Sequence, residues 1–274
     1  MSPPQGILRL QVVFRKMKNP MHIFESIQGL SIALLLYTSS CVASADVITF
    51  PNGATLAFSS PVTPEEQEKL GRGWKTAVYS NSDGQRSRLF PLEALKSLNG
   101  VLFDDSYPLR ISPTGRYVVI DILRVGLLET GAEETARIQS RQYCPVLKTT
   151  SGCLVSNETG DLCGGEWDKR DDRWIVHGLK YDTNTPMVQY QFKKANTLWK
   201  EYSDDKYRSV RVSIRDLISS NLGIANLMAC DPPKADNRDS YKNIQIELQR
   251  LGDFEDSAYI SRELGDTVPS SMAH

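Results

Sequence analysis

Residues 143–176 read YCPVLKTTSGCLVSNETGDLCGGEWDKRDDRWIV. Short apolar runs at 143–148, 153–156, 162–167 and 173–176 alternate with turn-forming stretches. Those stretches are Thr149-Thr150-Ser151-Gly152, Asn157-Glu158-Thr159-Gly160 and the charged run from Asp168 to Asp172. Gly, Asn, Asp and Ser favour tight reversals for local backbone reasons, so the pattern predicts four strands in a meander. Three of the chain's 5 cysteines and two of its 4 tryptophans fall in this stretch, which marks it as a stapled centre.

Working outward, the same logic holds upstream. Pro51-Asn52-Gly53 separates two β-prone runs at 47–50 and 54–58, a hairpin signature. Thr63-Pro64-Glu65-Glu66 is a helix start, with Thr63 as cap, Pro64 at the first position and Glu66 closing a capping box, and Gly71 stops it. Residues 74–79 alternate as a strand, 91–98 suggest a short helix, and Ser112-Pro113-Thr114-Gly115 turns into a long apolar strand at 116–128. The phrase ISPTGRYVVI resembles the strand-turn-strand phrase of β-propeller blades, although no repeat of 40 to 50 residues accompanies it.

Downstream, Val188, Tyr190 and Phe192 alternate, as do Val210, Val212 and Ile214, and again Ile244, Ile246 and Leu248; each set predicts a strand. Residues 216–228 suggest a helix interrupted at Gly223 and stopped by Pro232-Pro233. The expected fold is β-rich, mainly antiparallel with α+β possible, a sandwich-like or propeller-like meander with two or three short helices. Residues 46–274 are expected as a single β-rich exported domain, with a weak possible boundary near 103–106.

The export expectation comes from residues 1–45, read as a signal peptide. An apolar core at 29–37 precedes the small residues Ala43-Ser44-Ala45, giving Asp46 as the mature start. Met17 or Met21 makes a more usual start for such a leader, so residues 1–16 read as a mis-assigned or second start. Thr38-Ser39-Ser40-Cys41 resembles a lipobox with threonine where leucine is usual, which makes Cys41 a lipidation candidate. The protein is expected to be periplasmic, or alternatively lipid-anchored in the bacterial envelope. Beyond Cys41, Cys144, Cys153, Cys163 and Cys230 form an even set, expected as two disulfides with three possible connectivities. Pairing Cys153 with Cys163 as a local staple, and Cys144 with Cys230, is the working arrangement.

The net charge of −1 offers no basic surplus for nucleic acid. A membrane becomes a partner only through lipidation at Cys41. Catalytic signals are scarce. Of 3 histidines only His177 lies in the body, which leaves imidazole-dependent triads and metal sites little room. Ser203-Asp204-Asp205-Lys206 fits S-x-x-K only literally and reads as a solvated turn. The acid pairs Asp104-Asp105, Asp171-Asp172 and Asp204-Asp205 sit in expected turns, and Asp182-Thr183-Asn184 is only a fragment of a calcium loop. No catalytic residue, metal or cofactor is assigned. The candidate partner-binding residues are Trp167, Asp168, Lys169, Arg170, Asp171, Asp172 and Trp174: aromatic anchors flanking a loop dense in both charges.

The near-lipobox leader, SPTGRYVVI, the spacing of Cys144 to Cys163 and TGDLCGGEW together resemble exported immunity proteins encoded beside type VI secretion lipase effectors. The resemblance covers roughly residues 107–176. It implies a periplasmic non-enzyme that binds and blocks a toxic effector, a phospholipase in that family. The competing expectations are an exported carboxylate-dependent hydrolase and a structural envelope lipoprotein.

Overall fold

In the computed structural model the chain is described over residues 46–96, 99–128, 137–204 and 212–265. The expected signal peptide, its Cys41, the expected loop at 131–136 and the tail after Gly265 lie outside these residues.

The first half is one antiparallel meander. β1 (Asp46–Thr49) and β2 (Thr55–Pro61) form the hairpin around Pro51-Asn52-Gly53, with Ile48 opposite Leu56. The helix α1 (Pro64–Leu70) follows with its capping box in place: Glu66 donates its N–H to Thr63 Oγ1 at 3.3 Å, and Thr63 donates its N–H to Glu66 Oε2 at 2.9 Å. β3 (Gly73–Ser80) pairs with β2, with the short β4 (Arg86–Arg88) and with β5 (Gly100–Asp104). Phe103 and Asp104 both lie in this paired strand. Pro91–Glu93 form only a single 3-10 turn.

β6 (Arg110–Ile111), β7 (Tyr117–Val119) and β8 (Ile122–Leu128) lead to the long β9 (Arg137–Lys148). β7 and β8 keep one register on β9: Val118 faces Leu147 and Ile122 faces Tyr143. They are one strand, broken where Ile120 donates to the carbonyl of Pro145 at 3.0 Å and proline has no N–H to return. β10 (Leu154–Thr159) pairs with the other edge of β9.

The period of two puts alternate residues on opposite faces. Leu56, Phe58, Phe103, Val118, Ile122 and Leu147 fill one core, while Val119, Cys144, Val146 and Trp174 fill another on the reverse face. The sheet curls into a half-barrel, so the β9–β10 turn reaches back over β3. The Tyr79 hydroxyl donates to the carbonyl of Thr149 at 2.9 Å, and Asn52 Nδ2 donates to the same oxygen at 2.8 Å. Gly152, at φ +75°, permits that closure. A Cβ there would lie 2.4 Å from the Tyr79 ring.

After a small hairpin at 166–175 the chain turns helical: α2 (Asn184–Val188), α3 (Ala195–Ser203), α4 (Ile214–Ser219), α5 (Ile224–Cys230), α6 (Arg238–Arg250) and α7 (Phe254–Glu263). This corrects three strand expectations and adds helices beyond the two or three anticipated. Residues 187–192 hold the end of α2, Ile214 opens α4, and Ile244, Ile246 and Leu248 lie in α6. In α6 the buried positions are Tyr241, Ile244 and Leu248, spaced by three and four, while Ile246 is 63 % exposed and only mimics alternation. Val210 lies outside the described residues.

Two disulfides close the fold, Cys144–Cys163 and Cys153–Cys230. All four expected cysteines are paired, but the working arrangement is corrected. Cys153 lies beside Lys148 at one end of β10, while Cys163 turns back to Glu158 near the other end and bonds Cys144 there, so the strand separates the two. Such bonds belong to an oxidising, non-cytoplasmic compartment.

Candidate functional site

The seven candidate residues surround one hairpin on the reverse face of the sheet. β11 (Glu166–Trp167) pairs with β12 (Trp174–Ile175), Trp167 opposite Trp174. The chain enters through a 3-10 turn at Gly160–Gly164, whose Cys163 is bonded to Cys144 of β9.

Arg110 organises the base of this hairpin. Its Nη2 donates to both carboxylate oxygens of Asp121 at 2.9 Å, and its Nη1 donates to the carbonyls of Cys163 at 2.5 Å and Gly165 at 3.2 Å. The guanidinium lies 5.1 Å from the centre of the Trp174 ring. The Arg110 carbonyl accepts from Trp167 Nε1 at 2.8 Å. Burial pushes the Asp121 carboxyl above its ordinary value even though Arg110 and Gln142 pull it down.

Trp174 is 1 % exposed and gives its Nε1–H to the carbonyl of Leu162 at 2.8 Å. It is a core residue, buried in one cluster with Cys144, Cys163 and Met187. Gly165 is what allows this, because a Cβ there would sit 2.4 Å from the indole nitrogen. Trp167 is half-buried, stacked on Tyr117 at 6.2 Å and edge-on to Trp174 at 5.1 Å.

The tip is held at both shoulders. Asp168 accepts from Arg173 Nη2 at 2.9 Å and from the N–H of Arg170 at 2.9 Å. The Asp172 side chain, 5 % exposed, accepts from Thr114 Oγ1 at 2.5 Å and Arg116 Nε at 2.7 Å, so the tip is tied to the Ser112–Gly115 turn. Burial works to raise the Asp172 carboxyl, and the bonds from Thr114 and Arg116 outweigh it, leaving it below its ordinary value. Lys169, Arg170 and Asp171 remain exposed at the apex. The seven candidates thus divide into a core residue, three braces (Trp167, Asp168, Asp172) and three presented side chains.

The remaining sequence candidates hold structural roles. His177 pairs with Glu166 at 2.9 Å on the surface. Asp104 accepts from the N–H of Ser106, and Asp105 faces Arg72 at 3.3 Å. Asp182 accepts from the N–H groups of Asn184 and Thr185 at the start of α2. Asp205 and Lys206 lie outside the described residues. No cluster of three or more metal-ligating side chains occurs among the described residues, and no described helix is long and apolar enough to cross a membrane.

Sequence reasoning passed over the Arg110–Asp121 pair. Its signal is present: Asp121 is the lone acid in the apolar run at 118–125, where a charge needs a partner. The geometry puts a charged apex on a cross-linked, hydrogen-bonded base. No protein-family model, no curated protein and no solved structure matches this chain.

Proposed function

We propose that this is an exported binding protein of immunity type, which uses the β11–β12 hairpin to engage and inhibit a secreted toxic effector; the effector expected from the sequence resemblance is a phospholipase. The observation that carries the proposal is the double bracing of the apex. Asp168 and Asp172 each pair with an arginine of this chain, which braces the loop that carries the exposed Lys169, Arg170 and Asp171. A pre-ordered loop loses little conformational freedom on binding, which favours tight inhibition. Both oppositely charged groups at the apex suit a partner with a complementary polar mouth. The oxidising compartment is then the periplasm, with lipid anchoring at Cys41 as the membrane-bound form.

The test is co-expression with the product of a neighbouring gene, followed by co-purification and a survival assay. The wild-type chain is expected to form a complex and protect the cells. Combining Lys169→Glu, Arg170→Glu and Asp171→Lys is expected to abolish both with an unchanged melting temperature. Retained binding by this variant would remove the hairpin from the interface, and absence of complex and protection with the wild type would sink the proposal.

A further inference from the structure

A second surface shares no residue with the hairpin. A cleft of about 280 Å³ runs between the β4 segment, residues 85–93, and the helical part, where Leu222, Met228, Pro232 and Tyr259 form the facing wall. Its sheet-side wall is an open strand edge. In the β3–β4 pair, Asn81 donates to Gln85 and Leu89 donates to Ala77, so the main-chain groups of Gln85, Ser87 and Leu89 point toward β3. By the alternation of an antiparallel ladder, the N–H and C=O groups of Arg86 and Arg88 point the other way. No other described strand pairs with β4.

The charge beside that edge is unbalanced. Arg86 and Arg88 are both exposed, and among the described residues Arg88 donates to the Thr76 hydroxyl at 3.1 Å. The acids of the cleft are occupied: Glu93 by Arg124 at 2.6 Å and Glu263 by Arg262 at 3.8 Å. Two non-glycine residues with left-handed backbone stand on opposite walls, Phe90 at φ 48° and Leu222 at φ 59°. Such conformations persist where the surroundings enforce them, and they collect at ligand clamps.

We infer that this cleft binds an extended acidic peptide segment of a partner protein, which adds as a strand to the free edge of β4 while its carboxylates meet Arg86 and Arg88. The ladder supplies affinity that is indifferent to sequence, the two guanidiniums select acidic side chains, and the apolar wall takes the alternate residues. This inference is independent of the hairpin proposal: the hairpin apex variant leaves the cleft untouched.

The experiment uses the oxidised protein and fluorescence anisotropy with three short labelled peptides. One alternates glutamate and valine, one alternates lysine and valine, and one is the acidic peptide with alternate amides N-methylated. The acidic peptide is expected to bind, and the other two are not. The Arg86→Glu, Arg88→Glu double variant is expected to lose at least about tenfold in affinity for the acidic peptide and to gain affinity for the lysine peptide. Equal binding of the N-methylated peptide would reduce the site to a charged patch and overturn strand addition. Binding unaffected by the double variant, or no binding by the acidic peptide, overturns the inference as a whole.

Discussion

The sheet and the helical part of this molecule are held together in different ways. In the sheet every strand is tied to its neighbours by main-chain ladders, and apolar side chains cover both faces. The helices α2–α7 are short, the longest being the 13 residues of α6, and such lengths are marginal in isolation. The order of α3–α7 rests on side-chain packing around Leu198, Ile214, Leu227, Tyr241, Ile244 and Ile260, while α2 packs on the reverse face of the sheet through Met187. The two parts meet covalently at Cys153–Cys230 and through Asn226, which accepts from the N–H of Leu154 at 2.8 Å and donates to its carbonyl at 3.0 Å. The helical part is therefore expected to be the less autonomous of the two.

The strongest way to break this picture is to cut the junction. In the chain-entropy view, losing Cys153–Cys230 through Cys153→Ala, Cys230→Ala costs about 4.5 kcal/mol, against about 3 kcal/mol for Cys144→Ala, Cys163→Ala, because the loop it closes is longer. Hydrogen exchange should then show amides of α5–α7 losing protection well before those of β8 and β9. Simultaneous loss in both would mean that the two parts unfold as one.

Within the sheet, Asp121→Ala strands the Arg110 guanidinium under Trp174. We expect a loss of about 2–3 kcal/mol, at the low end for a broken buried pair because Arg110 keeps some solvent contact. Both indole N–H resonances, of Trp167 and Trp174, should shift. If they stay in place, Arg110 is not what sets the hairpin's base.

At the junction, Asn226→Ala leaves the buried N–H and C=O of Leu154 without these partners and should cost about 2 kcal/mol. The accompanying mark is faster exchange of the Leu154 amide at unchanged exchange in β2. A silent substitution would show that Asn226 contributes nothing to joining the two parts.

The smallest effect lies at the hairpin tip. Asp172→Asn should cost about 1 kcal/mol through weaker bonds from Thr114 and Arg116. Because the Asp172 carboxyl is held below its ordinary 3.8, its contribution is complete above that value and disappears as the pH falls through the lowered one. Asp121 has the opposite sign: its raised value makes the native state lose stability as the pH climbs past 3.8 toward it. An acid titration of the Thr114 amide, which donates to Asp172, should show this step in the wild type and lose it in Asp172→Asn.

Local chemistry made several elements legible. The Asn52-Gly53 turn, the Thr63/Glu66 capping box and the apolar strand run at 116–128 each act within a few residues, so each is written in the chain. The failure at Ile244, Ile246 and Leu248 is equally specific. A run of three aliphatic residues satisfies periods of two and of four at once, and only Tyr241, packed on the same core, selects the helix.

By itself the sequence determined an antiparallel β-rich core, four cysteines destined for disulfides, and a charged loop between two tryptophans. The tertiary structure alone decided the pairing of Cys144 with Cys163 and Cys153 with Cys230, since pairing depends on which ends of strands meet in space. It also decided that Trp174 is buried while Lys169, Arg170 and Asp171 are presented. The partners that settle this, Arg110, Thr114 and Arg116, lie more than fifty residues away along the chain, and contact at that distance is a property of the fold.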